Sequence, residues 1–352
     1  MRPSLLFIAI TAAALASGGS HAQAPATTPG GLTGYTERLM ADFYRTDAPG
    51  AAVLIARGDQ VLYRGARGLA DVATRTPLTP DSVFRIGSIS KQFAAAGVLK
   101  LVEAGKVSLD DPLSKYVADY PGGDRITVLE LLNHTSGVKD YTHIPSWRTG
   151  PLEKDVTTAQ LIASFKGAEP DFAPGTDWAY DNSGYALVAA VIESASGHPW
   201  HDYLHGALFQ PLGLAHTGYA ADPAFAARQV PGYSLDDGKV VPAHRISMTI
   251  PSAAGALLST VDDLLAWNRA LHEGRVLQAA SYNRMITPVG KAVDAKYGFG
   301  IEHDQFRGHD LLAHSGGIFG FASMVEYVQG PDVSVVVLQN TDSNDGHDSP
   351  EV

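Results

Sequence analysis

The residues best placed to do chemistry lie in FRIGSISKQF, positions 84–93. Ser88 and Lys91 stand three apart, so on a helix they share a face while Ser90 points elsewhere. A serine hydroxyl opposite an amine is a nucleophile beside a base, provided burial or cationic neighbours pull the amine well below its usual value of about 10.4. The same pair has a structural reading, in which Ser88 caps a helix and Lys91 stays on its surface. A second Ser-x-x-Lys runs from Ser136 to Lys139, so the four-residue pattern alone selects nothing. Context separates the two. Ser136-Gly137-Val138-Lys139 contains a glycine and follows Asn-His-Thr, a loop that gives its serine and lysine no reason to meet. Ser88 follows the β-like run SVFRIG and opens a helical pattern. At a helix start the dipole and free N–H groups favour negative charge, and the Ser88 N–H can serve an oxyanion hole.

Two further segments offer partners. Tyr180-Asp181-Asn182 is the only Tyr-x-Asn in the chain and stands just ahead of a helix starting near Ser183. A phenol beside an ammonium ionises more easily and relays a proton, and an Asn amide can hold an acyl substrate's carbonyl or amide. In LLAHSGGIFGF, His314-Ser315-Gly316-Gly317 ends one strand ahead of another, where glycine lets a backbone approach a ligand closely. His216-Thr217-Gly218 repeats that pattern after PLGLA, in a helix-loop context. Taken singly, each segment also reads as plain structure, a buried Tyr beside an Asn turn or a Gly-rich strand end. Competing signatures are absent: there is no G-x-S-x-G elbow, no H-E-x-x-H and no phosphate-binding G-x-x-x-x-G-K-[ST]. His198, His201 and His205 have helical spacing, but Pro199 and the run into LFQPLG favour an exposed surface helix, so no metal and no other cofactor is expected. Tyr141, Trp147 and Tyr219 are candidates for shaping a cleft, with buried packing an equal alternative.

The elements that must hold these residues follow from periodicity. A short helix is expected over 37–44, then two β runs in AAVLIARGDQVLYRGARGLAD turning at Gly58-Asp59. Residues 88–104 read as a helix closed by Gly105. Helical periods recur at 127–134, 183–194 and 260–272, between Pro/Gly loops. Late in the chain FGIEH, DLLAHSG, FASMVEYV and VSVVVLQN are short β-like runs. The economical arrangement is an α+β fold: one antiparallel β-sheet built from both ends of the chain and flanked by helices, with a large, mainly helical domain inserted. The expected division is 25–105 with 273–345 for the sheet domain, 106–272 for the helical domain, and 346–352 as a polar tail.

At 352 residues, with 45% hydrophobic and 18% charged residues, the chain can bury a large core and is not of disordered composition. Its formal charge of −11, with no basic cluster, excludes nucleic acid as an expected partner. Residues 1–24 read as a signal peptide: Arg2, an apolar stretch from Leu5 to Ala16, and small-residue cleavage sites ending at Ala22 or Ala24. That stretch and every later one are too short to span a bilayer. With no cysteine, disulfides and thiol catalysis are excluded. Export into a bacterial periplasm is the expected localisation.

Ser88-x-x-Lys91, Tyr180-x-Asn182 and His314-x-Gly316, in that order on those elements, resemble the serine β-lactamase and DD-peptidase superfamily, in its class C-like branch. VFRIGSISKQF, ITVLELLNHTSGV, FAPGTDWAYDNSGYALVAAVIE, LFQPLGLAHTGY and AAGALLSTVDDLLAWNRAL also look like family blocks, and the resemblance covers residues 35–342. It implies the β-lactamase/transpeptidase-like fold and an acyl-transferring hydrolase without a cofactor. Ser88 would be the acylated nucleophile, and Lys91 and Tyr180 would share the general-base and general-acid roles. Asn182 would bind the substrate's amide, with His314 and Gly316 lining the opposite wall. The N–H groups of Ser88 and Gly317 would form the oxyanion hole.

Three departures bear on substrate. Class C β-lactamases resemble one another in carrying Lys-Thr-Gly where this chain has His314-Ser315-Gly316, so a fixed cation is replaced by an imidazole with an ordinary value of about 6.5. A D-Ala-D-Ala-type peptide or short ester is therefore expected as substrate, with weak or no β-lactam hydrolysis. A true class C-like β-lactamase and a non-catalytic penicillin-binding sensor remain as alternatives. Asp181 replaces a small residue and would either raise Lys91 or point into solvent. Family members close with a helix on the sheet, whereas this sequence ends in TDSNDGHDSPEV, so either that helix is missing and a sheet face is left under-covered, or the sequence is truncated before it.

Overall fold

The computed structural model describes residues 30–145 and 152–342. The leader at 1–24, the polar tail at 346–352 and Trp147 lie outside the described residues.

The architecture is α+β. Its main sheet has six strands: β1 (Ala51–Arg57), β2 (Gln60–Arg67), β3 (Glu302–Phe306), β4 (His309–Ile318), β5 (Phe321–Val328) and β6 (Val333–Gln339). Their spatial order is β3-β4-β5-β6-β1-β2, and every neighbouring pair is antiparallel. The β1–β2 turn is the two residues Gly58-Asp59, with Gly58 at φ 50°, the left-handed geometry a tight hairpin needs. β1 pairs with β6 from Ala51↔Gln339 to Arg57↔Val333, so both chain ends enter one sheet, as expected.

Strand alternation then divides the core in two. Ala51, Val53, Ile55, Val333, Val335 and Val337 face Met40 and Tyr44 at the end of α1 (Gly31–Phe43). Ala52, Leu54, Ala56, Val336 and Leu338 face the other way, into the larger cluster shared with the helices. Helix α1 starts six residues before the expected 37, because Gly31 and Gly34, poor helix formers in isolation, are carried by packing against the sheet.

α2 (Ser90–Glu103) runs through the centre of that larger cluster and is buried on nearly every side, which its run of small residues Ala94-Ala95-Ala96-Gly97 permits. A Cβ on Gly97 would lie 2.4 Å from Leu204 Cδ2, so another element crosses here at close range. Trp267 stacks on Phe93 with centroids 4.1 Å apart and donates from Nε1 to Gln92 Oε1 at 3.0 Å. Truncating Phe93 to alanine in such a core costs about 3–5 kcal/mol. The remaining helices that matter to the site are α3 (Val128–Leu132), capped by the Thr127/Glu130 box, α4 (Thr158–Phe165), α5 (Asn182–Ser196) and α6 (Val261–His272), capped by Thr260.

Phe84–Arg85 falls in the β-like run read before Ser88, whereas Gly218–Tyr219 and Leu257–Ser259 stand where the sequence shows only helical periods and loops. Phe84–Arg85 and Gly218–Tyr219 both pair with Leu257–Ser259. This three-stranded sheet ties the approach to Ser88 to segments far along the chain. Strands of two or three residues carry too little periodicity to read from sequence.

Candidate active site

Ser88 stands in a single 3-10 turn, Gly87–Ile89, that feeds directly into α2. Gly87 takes φ 49°, and a Cβ there would sit 2.9 Å from the Gly317 amide nitrogen. The turn therefore needs glycine twice over, for its left-handed backbone and for contact with β4. Gly316 is pressed against the same segment, since a Cβ on it would come within 2.1 Å of the Ile86 carbonyl oxygen. Ser323 completes the clamp by donating to Ile86 O at 2.8 Å. These contacts press the turn that carries Ser88 against the backbone of Gly316 and Gly317, with Ser88 partly accessible and Gly317 exposed.

Lys91, one turn on, is fully buried. Its Nζ lies 3.1 Å from Ser88 Oγ, 2.9 Å from Asn182 Oδ1 and 3.0 Å from Ala254 O. Burial pulls its pKa down to about 7, with Asp140 and then Asp181 pulling the other way. A neutral amine has two hydrogens and one lone pair. Asn182 Oδ1 and Ala254 O can only accept, so they take the two hydrogens and leave the lone pair facing Ser88 Oγ, the single partner able to donate back.

That division depends on which end of the Asn182 amide faces Lys91. Asn182 Nδ2 donates to Asp140 Oδ2 at 3.2 Å, and a carboxylate can only accept, so Asp140 fixes the orientation. Asp140 is itself buried and held by Thr142 N–H at 2.9 Å. Neither Asp140 nor the Ala254 carbonyl stands out in the sequence. Asp140 lies in NHTSGVKDY, two loops away in chain order, and a backbone carbonyl leaves no signal in side-chain types. The amide role expected of Asn182 narrows accordingly: one Nδ2 hydrogen remains for a substrate.

Tyr180 presents its ring to Lys91, with Nζ 4.6 Å from the centroid. Its hydroxyl is buried near the Ser88 side chain, and no hydrogen bond of ordinary geometry reaches it among the described residues. Burial drives the phenol pKa upward, with the Ser88 side chain acting against it. The expectation of an easily ionised phenol is thus reversed, because desolvation outweighs the nearby amine. Tyr180 is a neutral proton donor in this setting.

His314 differs most from expectation. It is fully buried, its Nε2 is 2.8 Å from Tyr297 Oη, and its Nδ1 is 2.5 Å from Ser315 O. The carbonyl must receive the Nδ1 hydrogen, so Nε2 accepts from the tyrosine and the ring is neutral. Burial, reinforced by Lys91, pulls its pKa down to about 3. In place of an imidazole titrating near neutrality on the substrate wall, the structure has a buried ring that burial favours in its neutral form, bonded to Tyr297. Gly316, expected on the same wall, is buried against Ile86 and acts through backbone spacing.

Asp181 does not point into solvent. It caps α5 by accepting from Gly184 N–H, and burial raises it to about 8. His134, at φ 64°, accepts Asp181 N–H on Nδ1 at 3.2 Å and packs with its ring tilted against Tyr180 and Tyr297, at centroid distances of 4.4 and 4.7 Å.

The alternatives resolve in physical terms. Ser90 Oγ is buried and accepts Leu257 N–H at 3.1 Å, so it ties α2 to the small sheet. Ser136 bonds Val138 N–H while Lys139 reaches Asp171 at 2.6 Å, away from it. Thr217 donates to Asp263 Oδ2 at 2.9 Å, and that carboxylate also accepts His216 N–H. Tyr141 is core, donating to Ile250 O at 3.1 Å. Tyr219 stacks on His201 at 4.2 Å, which uses that ring face for packing.

A partly exposed serine at a helix start, a buried lysine 3.1 Å from it whose pKa is lowered to about 7, and the Gly317 amide packed against the same turn are the parts of an acyl-transfer type of site. The beta-lactamase family model matches residues 32–351, and the chain belongs to that family. It is 27% identical over 294 residues to penicillin-binding protein 4* of Bacillus subtilis (strain 168), covering 78% of this chain and 64% of that protein. It is 29% identical over 311 residues to the D-aminopeptidase of Gluconobacter oxydans (strain 621H), covering 84% and 56%. The chain thus spans about three-fifths of the length of these curated relatives. Among solved structures, a D-stereospecific amidohydrolase from Streptomyces sp. is 30% identical with a TM-score of 0.74, over 84% of this chain and 91% of that one. D-amino acid amidase from Ochrobactrum anthropi SV3 is 25% identical with the same TM-score of 0.74, over 83% and 87%.

Proposed function

We propose that this chain is a serine hydrolase that works through an acyl-enzyme on Ser88 and cleaves amides or short esters of D-amino acids or D-peptides. The observation that carries this reading is the arrangement around Lys91, whose two hydrogens are taken by fixed acceptors and whose lone pair is left for the Ser88 hydroxyl.

In the proposed cycle Ser88 Oγ attacks the substrate carbonyl as its proton passes to Lys91 Nζ. The oxyanion is held by the Ser88 and Gly317 amides. The leaving amine or alcohol takes a proton from Tyr180, which recovers one from Lys91, and the acyl group remains as an ester on Ser88. Water then attacks that ester, giving up its proton through the same pair as Ser88 Oγ is released and reprotonated. The D-configured substrate class is supported by the printed activities of the relatives above. Weak or no β-lactamase activity follows from His314, because a buried neutral imidazole offers a β-lactam carboxylate no charge. Export after cleavage near Ala22 or Ala24 belongs to the same proposal and rests on the leader's composition.

The test compares wild type with Ser88→Ala on D-alanine p-nitroanilide, a short p-nitrophenyl ester and a fluorescent penicillin, following turnover and intact mass. Turnover of the first two with a transient adduct on Ser88 is expected. An adduct on wild type that persists in Ser88→Ala, or a Ser88 adduct that never turns over, defeats the proposal.

A further inference from the structure

Beyond Gly317, β4 passes through Ile318 into a cavity of about 350 Å3 whose lining includes Arg85, Gln229, His244, Arg245, Phe319 and Phe321. Two arginines, Arg85 and Arg245, line it together with one acidic residue, Glu153. Neither arginine forms a salt bridge at 4.0 Å or closer among the described residues. Arg85 is largely buried, donates from Nε to Gln229 Oε1 at 3.1 Å, and lies 5.5 Å from the Phe321 ring. Its two terminal amino groups have no acceptor among the described residues. Burial without a counter-charge pulls even this guanidinium down, to about 10. A largely buried guanidinium with no carboxylate bonded to it keeps its terminal donors available to an anion.

The strand supplies a direction. Tyr180, the acid that serves the leaving group, packs beside His314 with ring centroids 6.4 Å apart. The last β3–β4 pair is Glu302↔Ala313, so from His314 onward β4 has an open edge on that side. At about 3.3 Å per residue, Phe319 lies about 16 Å along the strand from His314, with the Gly317 amide between them and about 7 Å short of Phe319. A substrate laid along this edge with its carbonyl at Gly317 therefore points its leaving group to Tyr180 and its acyl arm into the cavity.

We propose that this cavity is an acyl-arm subsite for a carboxylate, selecting acyl groups that carry a free carboxylate about four to six bonds beyond the scissile carbonyl. Arg85 and Arg245 take the carboxylate, and Phe319 and Phe321 wall the intervening methylenes. The inference rests on the proposed acyl-enzyme at Ser88.

The test uses p-nitrophenyl hydrogen adipate and its neutral twin, p-nitrophenyl methyl adipate. Wild type is expected to favour the free acid by about tenfold or more in kcat/KM, which corresponds to about 1.4 kcal/mol. The ratio should fall toward one in about 0.5 M sodium chloride, which screens the exposed Arg245, and in Arg245→Ala, and should invert in Arg245→Glu. A wild-type ratio of one, with Ser88 acylated by both esters, overturns the carboxylate subsite and leaves the hydrolase intact. Absence of any Ser88 adduct from either ester is the distinct result that defeats the underlying acyl-enzyme.

Discussion

Asp140→Asn separates the geometric and electrostatic contributions to Lys91. The path from Lys91 Nζ to the Asp140 carboxylate comprises hydrogen bonds of 2.9 and 3.2 Å joined by the Asn182 amide. The two charges are thus no more than about 8 Å apart, and at an effective dielectric of about 20 their attraction is about 2 kcal/mol. Asp140 is the foremost influence holding Lys91 up, so its removal lowers the lysine further below about 7. The acid limb of the kcat/KM profile, which reports loss of the neutral amine, should move to lower pH by about 1.5 units. Meanwhile the amide introduced in place of the carboxylate no longer dictates which end of Asn182 faces Lys91, and kcat should drop about tenfold or more from the misaligned base. Loss of the charge on the Thr142 N–H contact should cost about 1 kcal/mol in thermal unfolding. The assay is a pH series of kcat/KM and kcat on D-alanine p-nitroanilide beside a melting curve. An acid limb that stays put or moves up, in a folded variant, refutes the assignment of Asp140.

The two glycines of the third motif should behave oppositely. Gly316→Ala must push against Ile86 O and Ser323 Oγ and should lose both stability and activity, whereas a Cβ at Gly317 meets nothing within 4 Å, so Gly317→Ala should fold normally. His314→Lys should not create a β-lactamase, since burying an ammonium beside Tyr297 costs several kcal/mol; the melting temperature should fall, with no gain on penicillins. Asp181 titrates near 8 in the fold against about 3.9 unfolded, so its contribution is full at acid pH and lost as pH rises through about 8. Asp181→Asn keeps a capping side chain and should gain stability relative to wild type progressively from pH 4 to 8; a constant difference across that range would count against the buried carboxyl.

Helix phase alone distinguishes Ser88 from Ser90, because a face is a local property, and the structure puts Ser90 on the far side bonded to Leu257. The strands are equally readable, since VSVVVLQ and AAVLIAR carry their pattern in consecutive residues. What escapes is what depends on several elements at once. The neutral form of His314 follows from its burial and then from Lys91, with Tyr297, 17 positions earlier, bonded to its Nε2, and no pattern around His314 announces that enclosure. Asp140 looks like any loop aspartate until α5 brings Asn182 against it. Tyr180 reads as an ionisable phenol because the sequence reveals its neighbour and hides its enclosure.

The order in which the chain is made gives the β1–β6 pairing a further meaning. β1 and β2 emerge early, yet β1 lies between β2 and a strand whose residues are 333–339. The turn that carries Ser88 is likewise shaped against Gly316 and Gly317. Neither the sheet nor the surroundings of Ser88 can close until residues 333–339 are available, and such long-range closure is slow. The turn that carries Ser88 therefore takes its final shape only after β4 has joined the sheet, late in the order in which these elements emerge.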